Sequence, residues 1–309
     1  MLKGKLAENW LKLVRLYTFN FPLRKGKYRL LQFALDRVEE LPKDVRAYSQ
    51  DGREFAAKME TRMYDMVYFL GEYEKFVTEV IGSVVRSNDV CFDVGANFGW
   101  FTTFLLNLEK VSDKKIAEVH AFEPLKKVFE NLTENTKLGG SPKNAFLNNF
   151  ALTDEVSETS IYSVDRLGSG HTSLAKSADE KVTEEKIQTG TFDEYVSTRN
   201  IEQVDFIKVD IEGAEMKFLE GGKKMFAQKV PPIMMIEMSL LTSLPFGYLP
   251  DDLIKFIKKH GEYDFYALDE VNRTINLIEG FKEGDLGANV LCMPKNADQS
   301  RLSGLKIIK

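Results

Sequence analysis

Residues 91–100 read CFDVGANFGW. A short apolar run carries Asp93 near its end, Gly95 and Gly99 bracket three residues, and an amphipathic stretch follows. A strand, a tight turn and a helix start in that order form a corner of an open α/β sheet. Such sheets bind ligands at the carboxyl ends of their strands, near the point where strand order reverses. Glycine at 95 and 99 permits positive φ and close backbone approach to a ligand.

The rest of the chain fits around that corner. From Asp89 onward, short apolar runs alternate with longer amphipathic ones. The runs are VCFDV (90–94), AEVHAFE (117–123), NAFLNNFA (144–151), VDFIKVD (204–210) and PIMMIEM (232–238); helical patterns lie at 98–109, 125–137, 214–221 and 250–260. This alternation predicts parallel βαβ units in a doubly wound sheet. YDFYALDE and ANVLCMP add two strands near the C-terminal end. Residues 1–85 read as largely helical, with turns at Asn20–Pro22 and Gln50–Gly52. Residues 164–190 are polar and rich in Gly, Ser and charge, too long for a plain connection. They read as a substrate-facing flap or a surface excursion, preceded by an extra strand at 158–163. The expected division is a helical extension at 1–80, an α/β domain at 81–297 and a tail at 298–309.

At 309 residues the chain has room for one large domain and an appendage, and a net charge of −5 argues against general nucleic-acid affinity. Cys91 and Cys292 both sit in apolar runs, which predicts buried reduced thiols rather than a disulfide or metal framework. No apolar run approaches the ~20 residues of a membrane span. The opening MLKGKLAENWLKLVRLY is interrupted by charge too often for a signal peptide, so a cytoplasmic protein is expected. The first thirty residues hold eight Lys and Arg against the single acid Glu8. Leu6, Trp10, Leu13, Val14 and Tyr17 fall at helical spacing there. Such a helix can pack on its own domain, join two copies as a homodimer, or lie peripherally on an anionic membrane.

Two cofactor classes use a glycine turn of this kind. The dinucleotide fingerprint G-x-G-x-x-G, started at Gly95, meets Asn97 and Trp100, so two of three glycines are missing. A pyrophosphate would also be repelled by Asp93. S-adenosylmethionine (SAM) has no phosphate, and its ammonium and sulfonium suit a carboxylate. Glu123 lies 24 residues beyond Gly99 at the tip of the next run, positioned to accept from ribose hydroxyls. Asn149 to Leu152, with Ala151, should end beside the adenine.

DVGANFG (93–99), FEP (122–124), VDFIKVDIEGAE (204–215) and the IE at 236–237 together resemble the FkbM family of SAM-dependent O-methyltransferases. YFLGEYEKFVTEV (68–80) and TFDEY (191–195) are similar to that family too. The resemblance covers about residues 65–295. It implies a Rossmann-like class I methyltransferase fold, mostly parallel, with an antiparallel last strand inserted next to the sheet edge. It also implies methyl transfer to a hydroxyl of a small-molecule, saccharide or glycoconjugate acceptor. The cofactor-binding candidates are then Asp93, Gly95, Asn97, Gly99, Glu123, Asn149 and Ala151.

A hydroxyl is a poor nucleophile, so a base is expected on its proton. KVDIEGAE packs Lys208, Asp210, Glu212 and Glu215 into eight residues. Asp210 ends its strand as Asp93 ends its own. Glu212 and Glu215 fall near a helix start, where acids also complement the helix dipole. Glu237 is a lone acid in an apolar run and either pairs with a base such as Lys208 or faces the acceptor. His171, in the flap, is a candidate base or an exposed loop residue. The catalytic candidates are therefore Asp210, Glu212, Glu237 and His171. The acids could hold a divalent ion, but no complete ligand set is in view. Two other readings stand beside this one. A non-catalytic SAM-binding scaffold would have little use for the acid cluster. A nicotinamide-dependent sugar oxidoreductase is opposed by the missing glycines, by Asp93, and by the lack of Y-x-x-x-K after the third strand.

Overall fold

The computed structural model describes residues 2–20, 26–39, 44–58, 62–140, 142–164, 172–173, 182–282 and 284–308. The chain divides into two compact units, residues 1–74 and 75–309.

The first unit holds helices α1 (Gly4–Asn20) and α2 (Lys27–Leu35), strands β1 (Asp44–Tyr48) and β2 (Glu54–Lys58), and α3 (Arg62–Leu70). The helical reading of residues 1–85 missed the two strands. They pair antiparallel, from Asp44 opposite Lys58 to Tyr48 opposite Glu54, around the turn at 50–52. The residues of α1 buried in this unit are Ala7, Leu11, Val14 and Thr18, spaced three and four apart on one face. The Thr18 hydroxyl donates to the Phe69 carbonyl at 2.6 Å. The Arg15 guanidinium lies 4.6 Å from the Tyr68 ring centroid and donates to the Tyr68 carbonyl at 3.0 Å.

The second unit begins with α4 (Lys75–Val84), β3 (Val90–Val94), α5 (Trp100–Ser112), β4 (Glu118–Phe122), α6 (Lys126–Leu138) and β5 (Ala145–Asn148). It continues with β6 (Ala151–Leu152), β7 (Glu158–Val164), β8 (Thr172–Ser173), β9 (Val182–Gly190) and α7 (Phe192–Thr198). Next come β10 (Phe206–Val209), α8 (Glu215–Gly221), β11 (Ile233–Ser239), α9 (Leu240–Ser243) and α10 (Pro250–His260). The last elements are β12 (Tyr263–Asp269), β13 (Thr274–Ile278), β14 (Gly287–Pro294) and β15 (Ile307–Ile308).

One sheet of nine strands runs β15-β13-β12-β14-β11-β10-β3-β4-β5. β5, β4, β3, β10 and β11 are mutually parallel, and β14 enters antiparallel between β11 and β12. This is the expected class I architecture. β13 and β15, absent from the sequence reading, extend its edge. The expected strand 144–151 is two: β6 leaves the sheet and pairs parallel with β9. β9 in turn pairs antiparallel with β7, from Glu158 opposite Gln188 to Val164 opposite Val182. Residues 182–190 are therefore strand rather than flap.

Strand alternation sorts the two faces of the sheet. Phe92, Val94, Ile207, Val209 and Ile236 join Phe192, Phe218, Leu253 and Ile257 from α7, α8 and α10 in one apolar core. The opposite face carries Ala121, Asp93, Lys208 and Met235 in register across β4, β3, β10 and β11. A charged pair thus lies in the middle of a buried sheet face. Cys91 and Cys292 are wholly buried free thiols, and burial pushes both above their ordinary range. Among the described residues, no helix is long and apolar enough to cross a membrane.

Candidate active site

Strand order reverses between β3 and β10, so the chain leaves these neighbours in opposite directions and opens a crevice at their carboxyl ends. The turn after β3 is held by its neighbours. The Phe122 carbonyl accepts from Gly95 N–H at 3.1 Å and Ala96 N–H at 2.9 Å. Glu123 Oε2 accepts from Asn97 N–H at 3.1 Å, while the Asn135 amide donates to the Phe98 carbonyl at 2.7 Å. Asn97 has φ of 49° and its Oδ1 accepts from Phe98 N–H at 2.8 Å, so the amide shapes the turn. Gly99 caps α5. Gly95 has φ of 83°, and a Cβ there would stand 1.8 Å from the Asp210 carbonyl oxygen. Its bare face is therefore required by the chain's own fourth parallel strand.

Asp93 is wholly buried. Its Oδ2 accepts from the Thr102 hydroxyl at 2.6 Å, and its Oδ1 has no hydrogen-bond partner. Burial raises its carboxyl above the usual range, and the positive charge of Lys208 opposes the shift. Lys208 itself is 2% exposed. Its ammonium donates to Asp210 Oδ2 at 2.8 Å and sits 4.4 Å from the Phe101 ring centroid. Lys208 thereby compensates two acids from one position. Lys208 thus pairs with Asp210, two residues further along the chain. Glu237 is half-buried one strand further on, opposite Asn289.

Glu123 is buried at the tip of β4, with Oε1 accepting from Leu125 N–H at 2.9 Å. Burial pushes its carboxyl up to about 7 despite these two backbone donors. Asn149 does not point its amide into open space, because the amide donates to the carbonyls of Glu123 and Pro124, both at 2.9 Å. Ala151 lies on β6 opposite Thr189 and packs beside Leu125, Val128, Ile161 and Ile187.

The turn after β10 is organised by Glu215, which is 1% exposed. Its Oε1 accepts from Ile211 N–H at 3.1 Å and Gly213 N–H at 3.2 Å, and the Tyr248 hydroxyl lies 2.9 Å from Oε2. Burial raises the Glu215 carboxyl. Glu212 adopts φ of 54° and, like Asp210, is half-buried at the crevice. A Cβ on Gly213 would stand 2.1 Å from the Thr242 carbonyl oxygen and 2.7 Å from the Phe246 ring. Phe246 in turn lines a cleft of about 350 Å³ with Thr153, Asp154, Ser157, Thr189 and Lys217. His171 lies outside the described residues.

Sequence reasoning missed the partners more than the acids. Thr102 is nine residues past Asp93 on the inward face of α5, a spacing that could have suggested it. Tyr248 gave no signal. His120, read only as a strand residue, is stacked 4.8 Å from Phe92 and 4.6 Å from Phe146. Its Nδ1 lies 2.9 Å from the Tyr195 hydroxyl and its Nε2 2.9 Å from Glu118, and the Asn148 amide donates to Tyr195 at 3.1 Å. Burial lowers the His120 pKa, so this network braces β4, β5 and α7 around a neutral imidazole.

The arrangement fits an adenosyl cofactor on the chain's own terms. A buried carboxylate oxygen lacking a donor stands at the first strand end, and a second buried acid stands at the next. Among the described residues, no three His, Cys, Asp or Glu side chains are grouped to hold a metal. Residues 93–263 match the model of the methyltransferase FkbM domain. The chain belongs to the FkbM methyltransferase family. No curated protein matches it. An FkbM methyltransferase from Methylobacillus flagellatus KT is similar in structure at 14% identity and TM-score 0.42, over 92% of this chain and 58% of its own. The chain thus spans less than two thirds of that relative. A precorrin-6y C5,15-methyltransferase from Geobacter metallireducens GS-15 is similar at 11% identity and TM-score 0.40, over 78% of this chain and 94% of its own. TrmK from M. capricolum, solved with S-adenosyl-homocysteine, gives 10% identity and TM-score 0.39, over 72% and 68%. In this FkbM chain, the matched segment begins at Asp93, near the end of β3, and takes in Glu123 and Asp210.

Proposed function

We propose that this FkbM-family methyltransferase uses SAM and methylates a hydroxyl on a saccharide-like acceptor. The observation that carries the reading is the pair of acid-ended strands at the strand-order reversal. Asp93 is sealed in with one oxygen unpartnered, and Asp210 stands half-buried at the crevice beside it. Asp93, Glu123 and the backbone of 95–99 would hold the cofactor. When bound, SAM supplies a methyl group on a positively charged sulfur. The chain's own task is to align the acceptor oxygen and to take its proton. Asp210 and Glu212 are placed for that, with Lys208 fixing the Asp210 carboxylate. A positioned base contributes typically ~10²–10⁴-fold. The cleft beside this turn offers an aromatic ring, hydroxyls and an Asp154–Lys217 ion pair. That mixture suits a ring with one apolar face and several hydroxyls.

Parallel calorimetric titration with SAM, S-adenosylhomocysteine and NAD tests the cofactor. Binding of both adenosyl ligands and none of NAD is expected; NAD binding, or silence with SAM, would overturn the reading. Transfer of labelled methyl to a panel of glycosides then tests the acceptor. Asp210→Asn should keep SAM affinity while turnover falls by ~10²-fold or more. Equal losses in both would make Asp210 a cofactor ligand instead.

A further inference from the structure

Among the described residues, helix α1 buries one apolar face and leaves much of a second exposed. At about 100° per residue, Ala7, Leu11, Val14 and Thr18 form the buried face. Leu6, Leu13 and Tyr17 form a second stripe about 110° round the helix, and they are 70%, 63% and 45% exposed. Leu16, on the far border of that stripe, is 64% exposed. Lys5 and Lys12 continue the surface beyond Leu16. In α2, Phe33 is 47% exposed with the Arg37 guanidinium 3.3 Å from its ring centroid. Among the described residues, Leu6, Leu13 and Leu16 of the opening helix are thus left mostly exposed.

We propose that this stripe docks on a lipid bilayer that carries anionic headgroups. The charge pattern selects that occupant. Eight Lys and Arg stand against one acid in the first thirty residues of a chain whose net charge is −5. On the helix itself Lys5 and Lys12 border the stripe, Lys12 beside Glu8 at 2.8 Å, so a second copy laid on the stripe would bring like charges together where an anionic surface brings opposite ones. A helix with a narrow apolar stripe and cations on its flank lies in the headgroup layer, its leucines inserted and its lysines on the phosphates. Binding is reversible, because one helix buries little apolar area.

The test uses the full-length protein in co-sedimentation with vesicles of phosphatidylcholine alone or mixed with phosphatidylglycerol. Binding only to the phosphatidylglycerol vesicles, weakened by added salt, is expected. The double variant Leu13→Glu/Leu16→Glu changes only exposed positions and should bind at least ~10-fold more weakly, with an unchanged thermal midpoint. Lys5→Glu/Arg29→Glu should lose roughly five-fold for each removed cation. No binding to the anionic vesicles, or binding that the leucine variant leaves intact, would overturn the proposal. So would sedimentation velocity showing self-association that the leucine variant abolishes, since the stripe would then belong to a second copy. Retention on an acidic protein but not on vesicles would assign it to a protein partner and equally overturn it.

Discussion

The turns after β3 and β10 are neighbours built from the same parts, yet they are held in opposite ways. Each begins near an acid and each contains a non-glycine residue at positive φ, Asn97 at 49° and Glu212 at 54°. The first is fastened from outside, by the Phe122 carbonyl, the Glu123 carboxylate and the Asn135 amide. The second is fastened chiefly from within, by Glu215 accepting from Ile211 and Gly213, with the Tyr248 hydroxyl at Gly213 and Glu215 as its outside tie. The external ties of the first turn leave Asp93 Oδ1 unpartnered in the interior. The internal tie of the second occupies its buried acid and leaves Asp210 and Glu212 at the crevice. A buried carboxylate is thus a binding group in one turn and a scaffold in the other. Burial alone does not distinguish the two.

The largest effect should come where the turns touch. Gly95→Ala would press a methyl into the Asp210 carbonyl, and a loss of more than about 4 kcal/mol is expected. Thermal denaturation should show it, and SAM binding should vanish with it; a folded, SAM-competent variant would mean the turns are not braced against each other. Glu215→Ala leaves the Ile211 and Gly213 N–H groups without their acceptor, while the Tyr248 hydroxyl keeps the Gly213 carbonyl at 2.8 Å, at a cost of about 3 kcal/mol. Glu215→Gln keeps an acceptor and should cost about 1 kcal/mol. If the glutamine variant keeps its denaturation midpoint but loses turnover, Glu215 is chemical rather than scaffolding.

The carboxyl of Glu123 is pushed from 4.5 up to about 7 by burial. The folded state therefore holds this proton more tightly than the unfolded chain does. Its contribution to stability is complete below about pH 4.5 and is lost as pH rises through 7, up to about 3 kcal/mol in all. Ligand-free wild type should accordingly lose stability across that window relative to Glu123→Gln, as measured by denaturant midpoints. Parallel curves would remove Glu123 from the titration. Asp93→Asn should act on the ligand alone, weakening SAM by about 1–2 kcal/mol while leaving the ligand-free midpoint unchanged or raised. An unaltered affinity would mean that the unpartnered oxygen does not meet the cofactor.

Periodicity made the framework legible. Strand 90–94 and helix 250–260 were readable to the residue, because an apolar run with sharp polar borders leaves one register. The hairpin at 44–58 was not, since DVRAY and EFAAK alternate too weakly to separate from the helical patterns around them. The break after Asn148 was hidden as well. NAFLNNFA is continuous in composition, and only pairing with β9, distant in sequence, draws Ala151 out of the main sheet. The same limit applies to the site. Acids at strand ends announce themselves by position, so Asp93, Glu123 and Asp210 could be named. What each acid does depends on donors brought from elsewhere: Thr102 from the next helix and Tyr248 from 33 residues beyond Glu215.

The two buried cysteines make the central sheet its own reporter. Cys91 lies on β3 and Cys292 on β14, on either side of the β10–β11 pair. A thiol-labelling reagent cannot reach either sulfur until the sheet opens, and the raised thiol pKa slows modification further. Labelling kinetics, followed by mass, would therefore count openings of the catalytic scaffold one sulfur at a time. The fringes of the molecule, where cysteine is absent, would remain silent.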